Sequence, residues 1–332
     1  VKEIIKNADK GVALSIGGMD VACRFFWEVG LPAIERTFSS YVDRIAAGLV
    51  AAGSDCAGND DEVSRDYDWG PRFQVYLNRF DFQEIGSSLQ SKMDAIPSDF
   101  NGTRCNPSES RAICVYSIDG FFSEKTRNGF GTGFVQAPKS AMDWLKIPEH
   151  CLFEVTRGQV FYDPLGEFSE RQQSFAAYYP DDAWLKRIAA AVVECGIFGS
   201  HLMQRSVDRD DYFTADMAWW KFAEAAMKLG FLLNRRYAPW QKWLYREFCK
   251  LPNLSPDVAD MLWNGQCDAN RRPQLVQRIE NIYKARIKEL GLIIASSDEA
   301  SVSMSKLAED VSAQISDPDV VNLAVWVDTI HI

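Results

Sequence analysis

Signals for β-structure stop in this chain near Gly166, and that change limits the folds open to it. Before it, short stretches alternate or concentrate β-branched and aromatic residues: Tyr41 to Ala52, Phe73 to Leu77, Ala112 to Ile118, and Leu152 to Tyr162 with a hairpin turn expected at Arg157-Gly158. A helix broken at Pro32 is expected to lead in over Asp20 to Phe38. After Gly166 the pattern turns helical, with Asp181 or Asp182, and Thr214, as N-cap residues, Pro256 and Pro273 in first turns, Gly265 and Gly291 at helix ends, and Leu275, Ile279 and Ile282 as a core stripe. A long apolar helix is expected over Ala215 to Asn234. The fold class is therefore α+β. Residues 1–165 are expected to form a mixed sheet with flanking helices, 166–292 a helical domain, and 293–332 a polar, helical C-terminal extension with serines at 296, 297, 301, 303 and 305.

At 332 residues, 47% of them hydrophobic, the chain can bury a substantial core. Its apolar runs, Ile188 to Val193 and Leu290 to Ala295 among them, fall short of the roughly 20 residues that span a bilayer, so no membrane association is expected. Residues 1–10 alternate charged and apolar side chains, unlike a secretory signal, and a cytoplasmic location is expected. The eight cysteines show no paired spacing and no C-x-x-C, which predicts free thiols. With three histidines besides, zinc has no support, and any metal should prefer oxygen ligands. A net charge of −10 disfavours nonspecific binding of nucleic acid.

Six acidic residues crowd the segment from Gly53 to Asp68. Asp55, Asp60, Asp61 and Glu62 read as a solvated loop. Asp66 and Asp68 read differently, because alternation on a strand leading into Phe73 to Leu77 would put both carboxylates on one face and Tyr67 on the other, where they could share a divalent metal. Before them, with eleven residues between, Gly53-Ser54 offers a turn with free amides and a hydroxyl for a phosphate. A phosphate site facing a metal site suits phosphoryl transfer, in which Mg²⁺ bridges a triphosphate and neutralises developing charge.

This arrangement resembles that of the polymerase-β-like nucleotidyltransferase superfamily. A closer resemblance, to an uncharacterised and largely bacterial family of domain-of-unknown-function proteins, is carried by Gly53-Ser54 through Glu62 and by Ser64-Arg65-Asp66-Tyr67-Asp68-Trp69-Gly70-Pro71. It continues through Gly158 to Asp163, Tyr179-Pro180-Asp181 and Arg236-Tyr237-Ala238-Pro239-Trp240-Gln241-Lys242-Trp243, and so covers most of the chain to about Leu292. More distantly the chain is similar to the kanamycin and lincosamide nucleotidyltransferases. The resemblance implies a polymerase-β-like nucleotidyltransferase domain followed by a helical bundle, over 166–292, that binds substrate or nucleotide. It also implies a nucleoside triphosphate donor with ATP expected, Mg²⁺ replaceable by Mn²⁺, and an unidentified acceptor, a small molecule or a protein, held between the domains.

A third carboxylate is usual in that superfamily, and its expected position holds Cys114. Asp119 and Glu154 are the substitutes, with Glu154 favoured as the base that takes the acceptor's proton. Tyr237 could stack on a base and Lys242 contact phosphate, although Tyr-Ala-Pro beside Trp240 and Trp243 also suits a packed helix corner. Two other functions fit the same residues: a nucleotide-binding regulatory protein without turnover, and a toxin-antitoxin-type modifier of a partner protein. A homodimer is left open.

Overall fold

The structure is a computed structural model and describes residues 17–51, 53–66, 68–97, 99–105, 111–127, 129, 131, 133–293, 302–327 and 329. Residues 1–10, Tyr67, and the serines at 296, 297 and 301, which figured in the expectations above, lie outside these. The described residues form a mixed α+β fold that divides into two compact units, residues 1–120 with 157–170, and residues 121–156 with 171–332. The stretch 121–156, expected with the sheet, thus packs with the helical unit.

In the first unit, α1 (Gly18–Phe25) runs through a π-turn at Phe26–Gly30 into α2 (Leu31–Phe38). Pro32 falls in the first turn of α2, where its missing amide costs little. A 3₁₀ turn at Ser39–Arg44 follows, so the strand expected from Tyr41 shortens to β1 (Ala46–Val50). Next come β2 (Phe73–Leu77) and α3 (Arg79–Asp94), capped by Asn78, whose side chain accepts from the amides of Phe80 and Asp81. The strands β3 (Ile113–Ser117) and β4 (Gly158–Tyr162) complete a four-stranded sheet of order β3-β2-β1-β4, with β2 and β3 parallel and the other pairs antiparallel.

Alternation on β2 sorts its side chains by chemistry. Phe73, Val75 and Leu77 face a core made with Phe25, Phe26 and Ile34 of the leading helices and Ile85, Leu89 and Met93 of α3. Gln74 and Tyr76 point to the other face. There the Gln74 carbonyl oxygen accepts from the Val50 amide at 2.8 Å and the Tyr76 hydroxyl at 2.5 Å, and the Tyr76 ring stacks on Phe168 at 3.9 Å.

The described part of the second unit is helical. Residues 149–155 form α4 (Glu149–Val155), which corrects the hairpin expected over Leu152 to Tyr162. Pro148 precedes its first turn, and Leu152, Phe153 and Val155 bury on one helical face; β-branched Val155 and Thr156 imitate a strand only when read singly. The helices α5 (Asp181–Cys195), α6 (Tyr212–Leu233), α7 (Ser255–Cys267) and α8 (Arg272–Glu289) follow. Asp211, not Thr214, caps α6 by accepting from the Thr214 amide. Pro256 and Pro273 sit in first turns, and Gly291 takes φ +73° after α8 as expected. The last helix expected in the tail is α9 (Met304–Ser312), which lays Met304, Leu307, Ala308 and Val311 against the unit.

The chain after α9 is held to α5 by two polar side chains, Lys186 buried and Asp182 half-buried. The Lys186 ammonium, with the residue 1% exposed, donates to the carbonyls of Leu323 and Ala324 at 2.9 and 2.7 Å, and the Asp182 carboxylate accepts from the amides of Ser316 and Asp317. All eight cysteines are free thiols. Among the described residues no helix is long and apolar enough to cross a membrane.

Candidate functional site

Val50 ends β1, and Gly53–Cys56 follows as a single helical turn. Gly53 takes φ +76°, a conformation open to glycine and strained for other residues. A methyl group on its α-carbon would press into the Arg72 guanidinium and lie 2.8 Å from the Asp68 carbonyl oxygen and 2.9 Å from Asp55 Oδ1. Four parts of the segment therefore meet at this one atom. The Gly-Ser turn and the backbone of Asp68, separated in sequence, are neighbours in space.

Asp66 and Asp68 are not on a strand, which corrects their expected placement. Asp66 follows the 3₁₀ turn Val63–Arg65 with αR backbone, Asp68 has φ +50°, and β2 begins only at Phe73. The cause lies in Gly70-Pro71: Gly70 at φ +102° and a proline without an amide hydrogen keep the chain from pairing until Arg72 has passed. Asp66 is exposed and Asp68 half-buried. On β2 the positions that alternation would give to a carboxylate pair hold Gln74 and Tyr76.

Asp55 is the largest correction to the sequence reading. Instead of standing in a solvated loop it is 5% exposed, and its Oδ1 accepts from Arg72 Nη2 at 2.6 Å and from the Cys56 amide at 2.9 Å. Its Oδ2 is buried without a hydrogen-bond partner, against the α-carbon of Gly18, where a methyl group would lie 2.8 Å away. Burial pushes the Asp55 carboxyl up to about 6, against the opposing pull of Arg72. Asp60 is also held. Its Oδ2 accepts from the Gly18 amide at 2.6 Å, at the start of α1, and from Trp69 Nε1 at 3.2 Å, so a carboxylate sits where the helix leaves its first amides unpaired. Spacing alone could not reveal these pairings, since the partners of Asp55 and Asp60 lie up to 42 residues away.

The remaining residues are dispersed. Cys114 stands on β3 in register with Gln74, and Asp119 in the first turn of the helix Ile118–Lys125. Glu154 is on α4, in the second unit, where burial raises its pKa and Lys125 offsets part of the rise. Among the described residues no group of three or more His, Cys, Asp or Glu side chains is gathered as a metal cluster. Tyr237 is 7% exposed, its hydroxyl donates to the Phe175 carbonyl at 2.8 Å, and its ring packs on Tyr178 and Tyr179. The expectation that it stacks on a base is thereby corrected: the ring belongs to the core. Lys242 is exposed, with its ammonium 5.1 Å from the centre of the Trp243 ring.

Comparison with known proteins adds two findings. The model of a family described as a domain of unknown function, DUF4037, matches residues 144–244. That stretch includes Glu154, Tyr237 and Lys242 and lies outside Gly53 to Asp68. Among solved structures, a nucleotidyltransferase-like protein from Exiguobacterium sibiricum 255-15 is similar over 79% of this chain and 76% of that one, at 9% identity and a TM-score of 0.37. No curated protein matches the chain.

Proposed function

We propose that the chain is a Mg²⁺-dependent nucleotidyltransferase that moves a nucleoside monophosphate from a nucleoside triphosphate, ATP being the expected donor, to a hydroxyl or amine of a small molecule or protein. The observation that supports it best is the packing at Gly53, where the Asp68 carbonyl closes on the α-carbon of the Gly-Ser turn. The Gly-Ser turn read as a phosphate site and the backbone of Asp68, whose carboxylate is read as a metal ligand, thus lie close in the first unit, which supports the reading.

The exposed Asp66 and half-buried Asp68 suit a hard cation that keeps most of its water and takes one or two carboxylates from the protein. Bound there, Mg²⁺ would neutralise charge on the triphosphate as the bond to the leaving pyrophosphate breaks. The protein's own groups have separate tasks. Gly53, exposed at the turn with φ +76°, would offer its backbone amide to a phosphate, with the Ser54 hydroxyl next in the chain. Of the two carboxylates weighed as the base, Asp119 lies in the first unit with this turn and Glu154, whose pKa burial raises, in the second.

The test is direct. Asp66→Asn and Asp68→Asn should each abolish transfer of labelled nucleotide while leaving the melting temperature near that of the wild type, and unchanged turnover in both variants would overturn the assignment. A second reading, nucleotide binding without turnover, is favoured by Cys114 at the third position and by the lack of a gathered carboxylate trio among the described residues. Binding of Mg²⁺-ATP with no pyrophosphate released in the presence of varied acceptors would select it.

A further inference from the structure

The turn after α6 buries one large ring in the core and displays another. Tyr237, Ala238 and Pro239 are buried, yet Trp240, next in the chain, is 54% exposed. It is not displayed loosely. On one side the Tyr237 hydroxyl is fastened to Phe175; on the other, the Trp243 amide donates to the Trp240 carbonyl at 2.9 Å, and Gln241 Nε2 donates to Glu224 Oε1 at 3.3 Å. The indole is also met edge-on by His150, at 4.7 Å between ring centres and 73° between planes. An indole left half in water forfeits burial that its neighbours obtain, and here a rigid turn holds it there.

The groups around it have a consistent chemistry. His150 is half-buried, and burial together with the charge of Lys228 pulls its pKa down, so at neutral pH it offers one ring donor and one acceptor. Lys242 and Arg246 hold their cationic groups 5.1 and 5.6 Å from the centre of the Trp243 ring. Glu224 is already engaged by Lys228 at 2.9 Å and by Gln241. In a chain of net charge −10, this part of the second unit combines flat rings with cations. Its complement is a planar aromatic ligand that carries negative charge.

We propose that Trp240, His150 and Lys242 form a nucleotide-binding shelf on the second unit, with the base stacked on the exposed indole, its polar edge read by the imidazole, and its phosphate attracted by the lysine. The choice of a nucleotide among aromatic anions rests on the transferase reading given above. The shelf assigns to Trp240 the stacking role expected of Tyr237, and keeps Lys242 as a phosphate contact.

Calorimetry on the full chain tests it, with AMP, CMP, GMP, UMP, the corresponding nucleosides and inorganic phosphate as probes. The wild type should bind at least one monophosphate more tightly than phosphate alone. Trp240→Ala should weaken that binding about tenfold or more, whereas Trp240→Phe, which keeps a stacking ring, should stay within about threefold. Lys242→Ala should weaken the monophosphate but not its nucleoside. Because Trp240 is exposed, the variants should keep the wild-type melting temperature. Equal affinity in the wild type and Trp240→Ala, or no monophosphate bound by the wild type, overturns the shelf. Transfer that continues in Trp240→Ala, with monophosphate affinity equal to that of the wild type, removes the shelf and leaves the transferase standing; monophosphate binding lost in Trp240→Ala, in a wild type that transfers nothing, keeps the shelf and removes the transferase.

Discussion

Asp55 holds a proton more tightly in the folded chain than outside it, and the sign of the consequence follows. Its carboxyl rises from an ordinary 3.8 to about 6, chiefly through burial, so folding favours its neutral form. The stabilisation tied to that proton is complete below about pH 4 and is lost as pH rises through about 6. A displacement of this size corresponds to something on the order of 3 kcal/mol. Asp55→Asn retains an acceptor for Arg72 and removes the titration. Between pH 7 and 5 the melting temperature of the wild type should therefore gain on that of the variant, as parallel thermal melts would show; parallel curves would refute this. Gly53→Ala should be more damaging, by about 2 kcal/mol or more in urea denaturation, because the added methyl meets Arg72 and the Asp68 carbonyl at φ +76°. The importance of Gly53 was legible in the sequence, since a Gly-Ser pair ahead of acidic residues points to a tight turn. The burial of Asp55 was not, because the arginine that neutralises it comes 17 residues later and one acidic residue among six looks like its neighbours.

Elements were legible where pattern and length agreed. Strands β2 and β3 appear close to where the pattern predicts them, and α8 buries Leu275 and Ile279 of its expected stripe, with Ile282 only half-buried and Tyr283 and Ile287 continuing the buried face. Reading failed at α4, where β-branched residues in a short apolar run decide nothing without knowing what the run packs against. It failed again for Asp66 and Asp68, where the strand starts later than its acidic approach suggests. At this scale the contact between α5 and the C-terminal segment makes a clear prediction. Lys186→Ala would leave the Leu323 and Ala324 carbonyls without their donor and open space beneath them, a loss of roughly 2 to 4 kcal/mol. Hydrogen exchange should then speed up at the amides of Ser316 and Asp317 ahead of those in α6, and uniform exchange across the unit would count against a local contact.

Over the whole molecule, the chain leaves the first unit at residue 120, returns at 157, and leaves again after 170. A boundary placed by the change of pattern at Gly166 misses this, because residues 121–156 bury their apolar side chains in the second unit: Phe122 stacks on Phe175 at 5.6 Å and Trp144 meets the same ring edge-on at 6.1 Å. A fragment of residues 1–165 should accordingly expose Phe122, Trp144 and their neighbours and show no cooperative melt by circular dichroism, while the full chain does. A sharp transition in that fragment would refute the division.

The pairing of β1 with β4 joins Ala47–Val50 to residues more than 100 positions later in the chain. On the ribosome, where synthesis proceeds from the N-terminus, β1, β2 and β3 emerge and can associate while one edge of β1 stays open until Gly158–Tyr162 has been made. The segment between β3 and β4, which packs in the second unit, is likewise made before the helices it packs against. The nascent chain thus carries an unfinished sheet and an unpartnered apolar stretch together, an interval in which a chaperone would find both a strand edge and a hydrophobic surface to bind.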